Sequence, residues 1–224
     1  MLTLNHVSFS YRKSKTQNNV LSNITLSFDV GKIYAIYGPS GSGKTTCLSL
    51  LGGLDTPTEG TVEIDGTDIK TIGYSELRKH YVAYIFQDYH LFPYMTPMEN
   101  VMLAASISKT MPQKEQKEKA AEHLLSIGID EATMNRPVNK ISGGQQQRTA
   151  IARALIKSPT YILADEPTGN LDKENAGIVL EILRNLAKQE NKCVIIATHS
   201  EIVRDYADVT MTIREGILLQ EDTE

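Results

Sequence analysis

The chain has 224 residues, 41% hydrophobic and 22% charged, with Lys plus Arg at 23 against Asp plus Glu at 27. That is ordinary globular usage for one large domain or two small ones, and it excludes a disordered or low-complexity chain. A net charge of −4 has the wrong sign for a nucleic-acid-binding surface, and Cys47 and Cys193 make neither a disulfide framework nor a Cys-x-x-Cys pair.

Two isolated thiols fit a reducing compartment. No apolar run approaches the ~20 residues of a membrane helix. The first residues lack a basic stretch followed by a long apolar one, so no secretory leader is expected.

In chain order, Leu2–Phe9 alternates apolar and polar residues, as a half-buried strand does, and Leu21–Phe28 repeats the pattern. Ile33–Tyr37 is continuously apolar, suited to a central strand covered on both faces. A glycine-rich stretch leads into a helix over 45–51. A short strand over 61–64 ends at the hairpin-type turn Asp65-Gly66, and another strand covers 82–86. The middle reads as helical, over 98–106 and 114–127; the second puts Ala120, Ala121, Leu124 and Leu125 on one face and solvated charges on the other.

A helix over 143–156 follows a Ser-Gly-Gly start. Then come a buried strand over 161–164, an amphipathic helix Lys173–Lys188 and a buried strand Cys193–Ala197. A hairpin of 210–213 and Ile217–Gln220 turns at Glu215-Gly216. Strands alternating with helices predict an α/β core with a mainly parallel sheet. The helical stretch at about 93–139 reads as an insertion into a core made of about 1–92 and 140–224.

Gly38-Pro39-Ser40-Gly41-Ser42-Gly43-Lys44-Thr45 fits G-x-x-x-x-G-K-[ST], with a buried strand before it and a helix after it. Glycines let successive backbone N–H groups turn inward around an anion, and the helix adds its positive end. In this chemistry Lys44 meets the β- and γ-phosphates of a nucleotide and the Thr45 hydroxyl ligates Mg²⁺. The run 161–164 then ends in Asp165 and Glu166, at the carboxyl end of a strand, where open α/β sheets place ligands. Asp165 suits Mg²⁺, and Glu166 suits a general base that activates water.

Ile141-Ser142-Gly143-Gly144-Gln145 resembles the signature sequence of ATP-binding cassette (ABC) ATPases, with Ile141 in place of the usual Leu, and it lies between the two motifs above in the order this family uses. The resemblance covers essentially the whole chain. It implies the ABC ATPase fold, a P-loop NTPase core with an N-terminal antiparallel β-subdomain and a helical insertion, and it implies ATP and Mg²⁺ as ligands. Tyr11 matches the aromatic that stacks on adenine, and Gln87 the glutamine that senses Mg²⁺ and the γ-phosphate. Ser142, Gly144 and Gln145 match residues that reach the γ-phosphate on a partner subunit, and Asp172 ends a loop at the dimer contact. His199 matches the switch histidine. His6, His80, His90 and His123 read as ordinary histidines.

The implied catalytic set is Glu166, His199, Lys44 and Gln87, and the implied metal set is Thr45, Gln87 and Asp165. The implied nucleotide-binding set is Tyr11, Gly38, Pro39, Ser40, Gly41, Ser42, Gly43, Lys44, Thr45, Thr46, Ser142, Gly143, Gly144, Gln145 and Asp172. Two half-sites on one chain predict a head-to-tail dimer around two ATP molecules. The runs 52–60 and 164–172 look like the branch of lipoprotein-release, macrolide-export and antimicrobial-peptide-resistance ATPases. That branch implies a separate integral membrane permease, docking near Tyr89, Leu91, Phe92, Pro93, Tyr94 and Met95, and a cytoplasmic chain peripheral to the membrane's inner face. The cell-division ABC ATPase and a soluble, non-transport ABC ATPase are the alternative relatives. Neither nucleic-acid binding nor direct membrane insertion is expected.

Overall fold

Hydrophobic alternation sorts the strands of this chain into two sheets. The computed structural model describes residues 1–11, 19–109 and 111–221. The first half contains β1 (Leu2–Phe9), β2 (Leu21–Phe28), β3 (Ile33–Tyr37), α1 (Lys44–Leu51), β4 (Glu59–Ile64), β5 (Thr67–Asp68), α2 (Ile69–Ile72), α3 (Tyr74–Glu76) and β6 (Val82–Ile85). The second half contains α4 (Pro97–Ser108), α5 (Gln113–Ser126), α6 (Glu131–Met134), α7 (Gly143–Leu155), β7 (Tyr161–Asp165), α8 (Lys173–Lys188), β8 (Cys193–Ala197), β9 (Val209–Arg214) and β10 (Ile217–Gln220).

One sheet is antiparallel, in the order β2-β1-β4-β5; the other runs β10-β9-β3-β8-β7-β6 and is parallel except for β10. The expected mainly parallel core and N-terminal antiparallel sheet are both present. Alternation in the central strands feeds two cores. Ile33 and Ala35 of β3, with Val194 and Ile196 of β8, face α7 and α8. Tyr34 and Ile36, with Cys193 and Ile195, face α1 and the antiparallel sheet. Because α1 lies between the two sheets, Cys47, Leu48, Leu50 and Leu51 are all fully buried. Burial pushes the thiols of Cys47 and Cys193 up to about 12, so both are inert apolar fillers.

A third core joins Val101 and Ala105 of α4, Ala120 and Leu124 of α5, and Met134 of α6; Ala152 and Ile156 of the α7 segment complete it. The Asp65-Gly66 and Glu215-Gly216 turns have positive φ at both positions, the twist that two-residue hairpins need. Sequence periodicity gives no sign of β5, α2, α3 or α6, nor of the wide turn Leu77–Tyr81, because each is shorter than the window a period needs. Phe86 lies just outside β6, and β4 starts two residues before the expected strand. Among the described residues no helix is long and apolar enough to cross a membrane.

Candidate active site

Strand order creates the site. The carboxyl ends of β3, β8, β7 and β6 lie side by side. The segments that leave them carry, in that spatial order, the glycine-rich loop, Thr198 and His199, Asp165 and Glu166, and Gln87. The register confirms the alignment: Ile36 and Asp165 both pair with Ala197. Residues as far apart in the chain as Tyr11 and His199 thus line one cleft of ≈ 780 Å³ that also holds Gly38, Lys44, Thr45, Gln87, Asp165 and Glu166. Pro39, Ser40, Gly41, Gly43 and Thr46 line it too.

The loop's glycines are there for shape. Gly38 has φ +155°, and a Cβ on it would lie 2.5 Å from Ser42 Oγ and 2.9 Å from the Ile213 carbonyl oxygen. Gly43 caps α1 at φ 107°, with no side-chain cap and no acidic residue in the first turn. The positive end of α1 is therefore left uncompensated, the condition under which a helix start takes an anion. Lys44 turns back and donates to the carbonyl oxygens of Gly38 at 2.8 Å and Pro39 at 3.2 Å.

The acids are held differently. Thr45 Oγ1 donates to Asp165 Oδ1 at 3.2 Å. Burial pushes the Asp165 carboxyl above its ordinary range, the neighbouring Glu166 charge adds to this, and the Thr45 bond works against it. Glu166 sits at φ +46°, its amide anchored to Ala197 O at 2.8 Å. Its Oε2 accepts from Thr198 Oγ1 at 3.0 Å and from the His199 amide at 3.3 Å, and its Oε1 lies 2.8 Å from His199 Nδ1. A carboxylate only accepts, so that last bond places a proton on Nδ1.

A hydroxyl and a carboxylate are hard oxygen donors, and the Gln87 amide lines the same cleft. Mg²⁺ typically takes one or two protein oxygens and fills its shell with phosphate oxygens and water. This donor set fits it, and a dication beside Asp165 would offset the burial of that carboxylate. Among the described residues no group of three or more His, Cys, Asp or Glu side chains forms a metal cage.

The signature residues lie elsewhere; none of them lines this cleft. Ser142 is the N-cap of α7 in a reciprocal box: its Oγ accepts from the Gln145 amide, and Gln145 Oε1 accepts from the Ser142 amide at 2.9 Å. The N–H groups of Gly143 and Gly144 have no intrahelical partner, so this helix start is a second place for an anion. A Cβ on Gly144 would lie 2.2 Å from Asn175 Oδ1. The same Asn175 bonds Asp172 through its amide at 2.8 Å and its side chain at 3.0 Å, and receives Arg148 at 3.4 Å. Asp172 therefore joins the signature face through Asn175, not the cleft.

Tyr11 is at the cleft mouth, edge-on to Phe9, with its hydroxyl 2.8 Å from Thr46 Oγ1. Pattern reading misses Thr198 and Asn175; Asn170, in the run 164–172, donates its side-chain amide to Gln87 O at 3.3 Å. Only adjacency to His199 marks Thr198 in the sequence, and nothing local marks Asn175.

Residues 21–169 match the family model described as "ABC transporter". Two proteins of Bacillus subtilis (strain 168) are each 41% identical: the ABC transporter ATP-binding protein YclH, over 96% of this chain and 94% of its own length, and YvrO, over 99% and 97%. The dimeric ATP-binding cassette MJ0796, solved in a post-hydrolysis state with ADP and Pi, matches with a TM-score of 0.89 at 33% identity, over 100% of this chain and 99% of that one. A phosphate loop, an acidic strand end and a signature helix in this order, with these relatives at full length, establish that the chain belongs to the ABC transporter family as an ATP-binding ATPase subunit.

Proposed function

We propose that two copies of this chain close head to tail around two ATP molecules and hydrolyse them to drive a separate membrane permease. In this reading Lys44 leaves the Gly38 and Pro39 carbonyls for the β- and γ-phosphates, and the N–H groups of the loop and α1 cradle the same oxygens. Tyr11 covers the base. Thr45, Asp165 and Gln87 hold Mg²⁺, which neutralises charge on the transferring group. Glu166 takes the proton of the attacking water, while His199 fixes the Glu166 carboxylate through Nδ1 and offers Nε2 to the reacting groups. Ser142, Gly143, Gly144 and Gln145 of the partner copy complete each site, and Asp172 lies at the contact.

The observation that carries this reading is the separation of two anion-ready helix starts, α1 and α7, on one chain. Only α1 opens into the cleft, so a second copy supplies what the cleft lacks. The dimeric structures of MJ0796, a cassette of the same fold, support it. The stretch 93–139 is the helical unit in this scheme, and 1–92 with 140–224 is the ATPase unit.

The permease docks beside the segment 89–95, where Phe92 and Tyr94 are exposed. The chain then works at the inner face of the cytoplasmic membrane. The resemblance of the runs 52–60 and 164–172 supports the branch that exports or extracts substrates or resists antimicrobial peptides.

The test is Glu166→Gln. It should bind ATP, lose hydrolysis by roughly two to four orders of magnitude and elute as an ATP-dependent dimer in gel filtration. Turnover at the parent rate would remove Glu166 from the role of base.

A further inference from the structure

Tyr37 is the last residue of β3 and stands next to Gly38, where the phosphate loop begins. It is buried, and its hydroxyl has no hydrogen-bond partner among the described residues. An orphaned hydroxyl of this kind calls for an explanation. The ring supplies one. The guanidinium of Arg204 lies over its face, 4.9 Å from the centroid, within the range of a cation–π attraction.

Arg204 is itself held from two sides. Its Nε donates to Glu201 Oε2 at 3.3 Å, and its Nη1 donates to Glu221 Oε2 at 2.8 Å. The other oxygen of Glu221 accepts from the Thr212 hydroxyl, and the Glu221 amide donates to Thr210 O at 2.9 Å. The Thr212 and Arg204 bonds hold the Glu221 carboxyl below its ordinary range, so this clamp is charged at neutral pH. Thr212 is also the ladder partner of Tyr37 between β9 and β3. Ring, guanidinium, carboxylate and the ends of two strands therefore close on one another.

Arg204 belongs to the 3₁₀ turn Glu201–Tyr206, which begins two residues after His199. The His199 side chain is 72% exposed. Its placement therefore depends on its bond to Glu166 and on the segment that carries it. Val203 seats that turn in the same core as Tyr37, and Arg204 adds the polar tie.

We propose that Arg204 is a positioning residue for hydrolysis. Stacked on Tyr37 and clamped by Glu221, it fixes the turn after His199 against the strand that launches the phosphate loop. The inference rests on the reading that His199 holds Glu166 and meets the reacting groups. Arg204 does not line the cleft, so it acts through the placement of His199 and leaves nucleotide binding to the loop and α1.

The test uses the full chain with MgATP, at protein concentrations where the rate per chain no longer rises. ATP affinity is measured separately in EDTA. Arg204→Ala should lower kcat by about fivefold and leave ATP affinity within about twofold. Tyr37→Leu, which keeps a buried apolar side chain and removes the ring, should give a similar loss. The double variant should be no slower than the slower single one, because both remove the same contact. Tyr37→Phe keeps the ring and discards the orphaned hydroxyl, and it should keep the parent kcat. Circular dichroism melting checks that each variant is folded at the assay temperature.

An Arg204→Ala chain that melts lower but keeps the parent kcat has lost only a structural contact, and the inference is overturned. A fall in ATP affinity as large as the fall in kcat overturns it too, because the tie would then serve the phosphate loop. A slow Tyr37→Phe or a silent Tyr37→Leu removes the stacked ring from the argument and the proposal with it. His199→Ala separates the inference from the reading beneath it. If that variant turns over at the parent rate, both fall; if it is slow while Arg204→Ala is not, only the inference falls.

Discussion

Asp165 is a carboxylate held where burial disfavours its charge. Its folded pKa is raised by burial, so the folded state holds that proton more readily than the unfolded chain does. The linkage sign follows. The stability tied to this group is full below the ordinary carboxylate range and is lost as pH rises through the raised value. Asp165→Asn keeps an acceptor for the Thr45 hydroxyl and removes the charge. We predict that this variant, without nucleotide, is more stable at neutral pH by roughly 0.5–2 kcal/mol. The gain should shrink at low pH, where the native carboxyl is protonated. Its MgATP hydrolysis should fall by at least about two orders of magnitude. Melting curves at two pH values and a phosphate-release assay check both parts; a variant that melts lower at neutral pH would contradict the assigned burial cost. The acids themselves were legible in the sequence, since an apolar run ending in two carboxylates is a local pattern. Thr198 was not, because its bond to Glu166 spans 32 residues and two strands.

Helix α7 contributes to two of the three hydrophobic cores. Its Ile151, Ala154 and Leu155 pack under the parallel sheet, while Ala152 and Ile156 of the same segment pack against α4 and α5. Its start carries the capping box of Ser142 and Gln145. Ser142→Ala removes one cap bond and should cost about 1 kcal/mol of stability. That loss leaves nearly all molecules folded at room temperature. Hydrolysis should nevertheless fall by about tenfold or more if the same hydroxyl reaches the γ-phosphate of the partner's ATP. A stability loss with an unchanged rate at saturating ATP would reduce Ser142 to a cap. The helix was legible from its apolar spacing and its Ser-Gly-Gly start. The short α2 and α6 were not, although Asp68 and Asp130 cap them with side-chain bonds to Lys70 and Thr133 amides. An Asp before four residues is too common a pattern to mark a helix.

For the whole molecule, the sheet order β3-β8-β7-β6 gathers the side chains of the cleft, and no signature residue at the start of α7 lines it, which is why the proposed function calls on a second copy. Mixing two impaired variants tests this division. A Lys44→Ala chain keeps its signature and loses its phosphate loop, and a Ser142→Ala chain does the reverse. In the mixed dimer one site pairs the intact loop of one copy with the intact signature of the other. The mixture should therefore hydrolyse ATP faster than either variant alone, with a rate that rises steeply with protein concentration below the dimer constant. A mixture no faster than the average of its parts would mean that each chain acts alone.

The sequence by itself determined the phosphate loop, the acidic strand end, the signature helix and the alternation of strands with helices. Each of these is written in residues within about ten positions of one another, through glycine torsions, strand periodicity and helix starts. Only the tertiary structure showed how Gly38, His199, Glu166 and Gln87 line one cleft, that Asn175 bonds Asp172 and packs closely against Gly144, and that Arg153 grips the turn beyond Gln87. It alone showed that Arg204 stacks on Tyr37 and binds Glu221. The reason is that strand order and helix packing are set by the burial of whole faces. That burial brings together side chains whose separation along the chain carries no local trace.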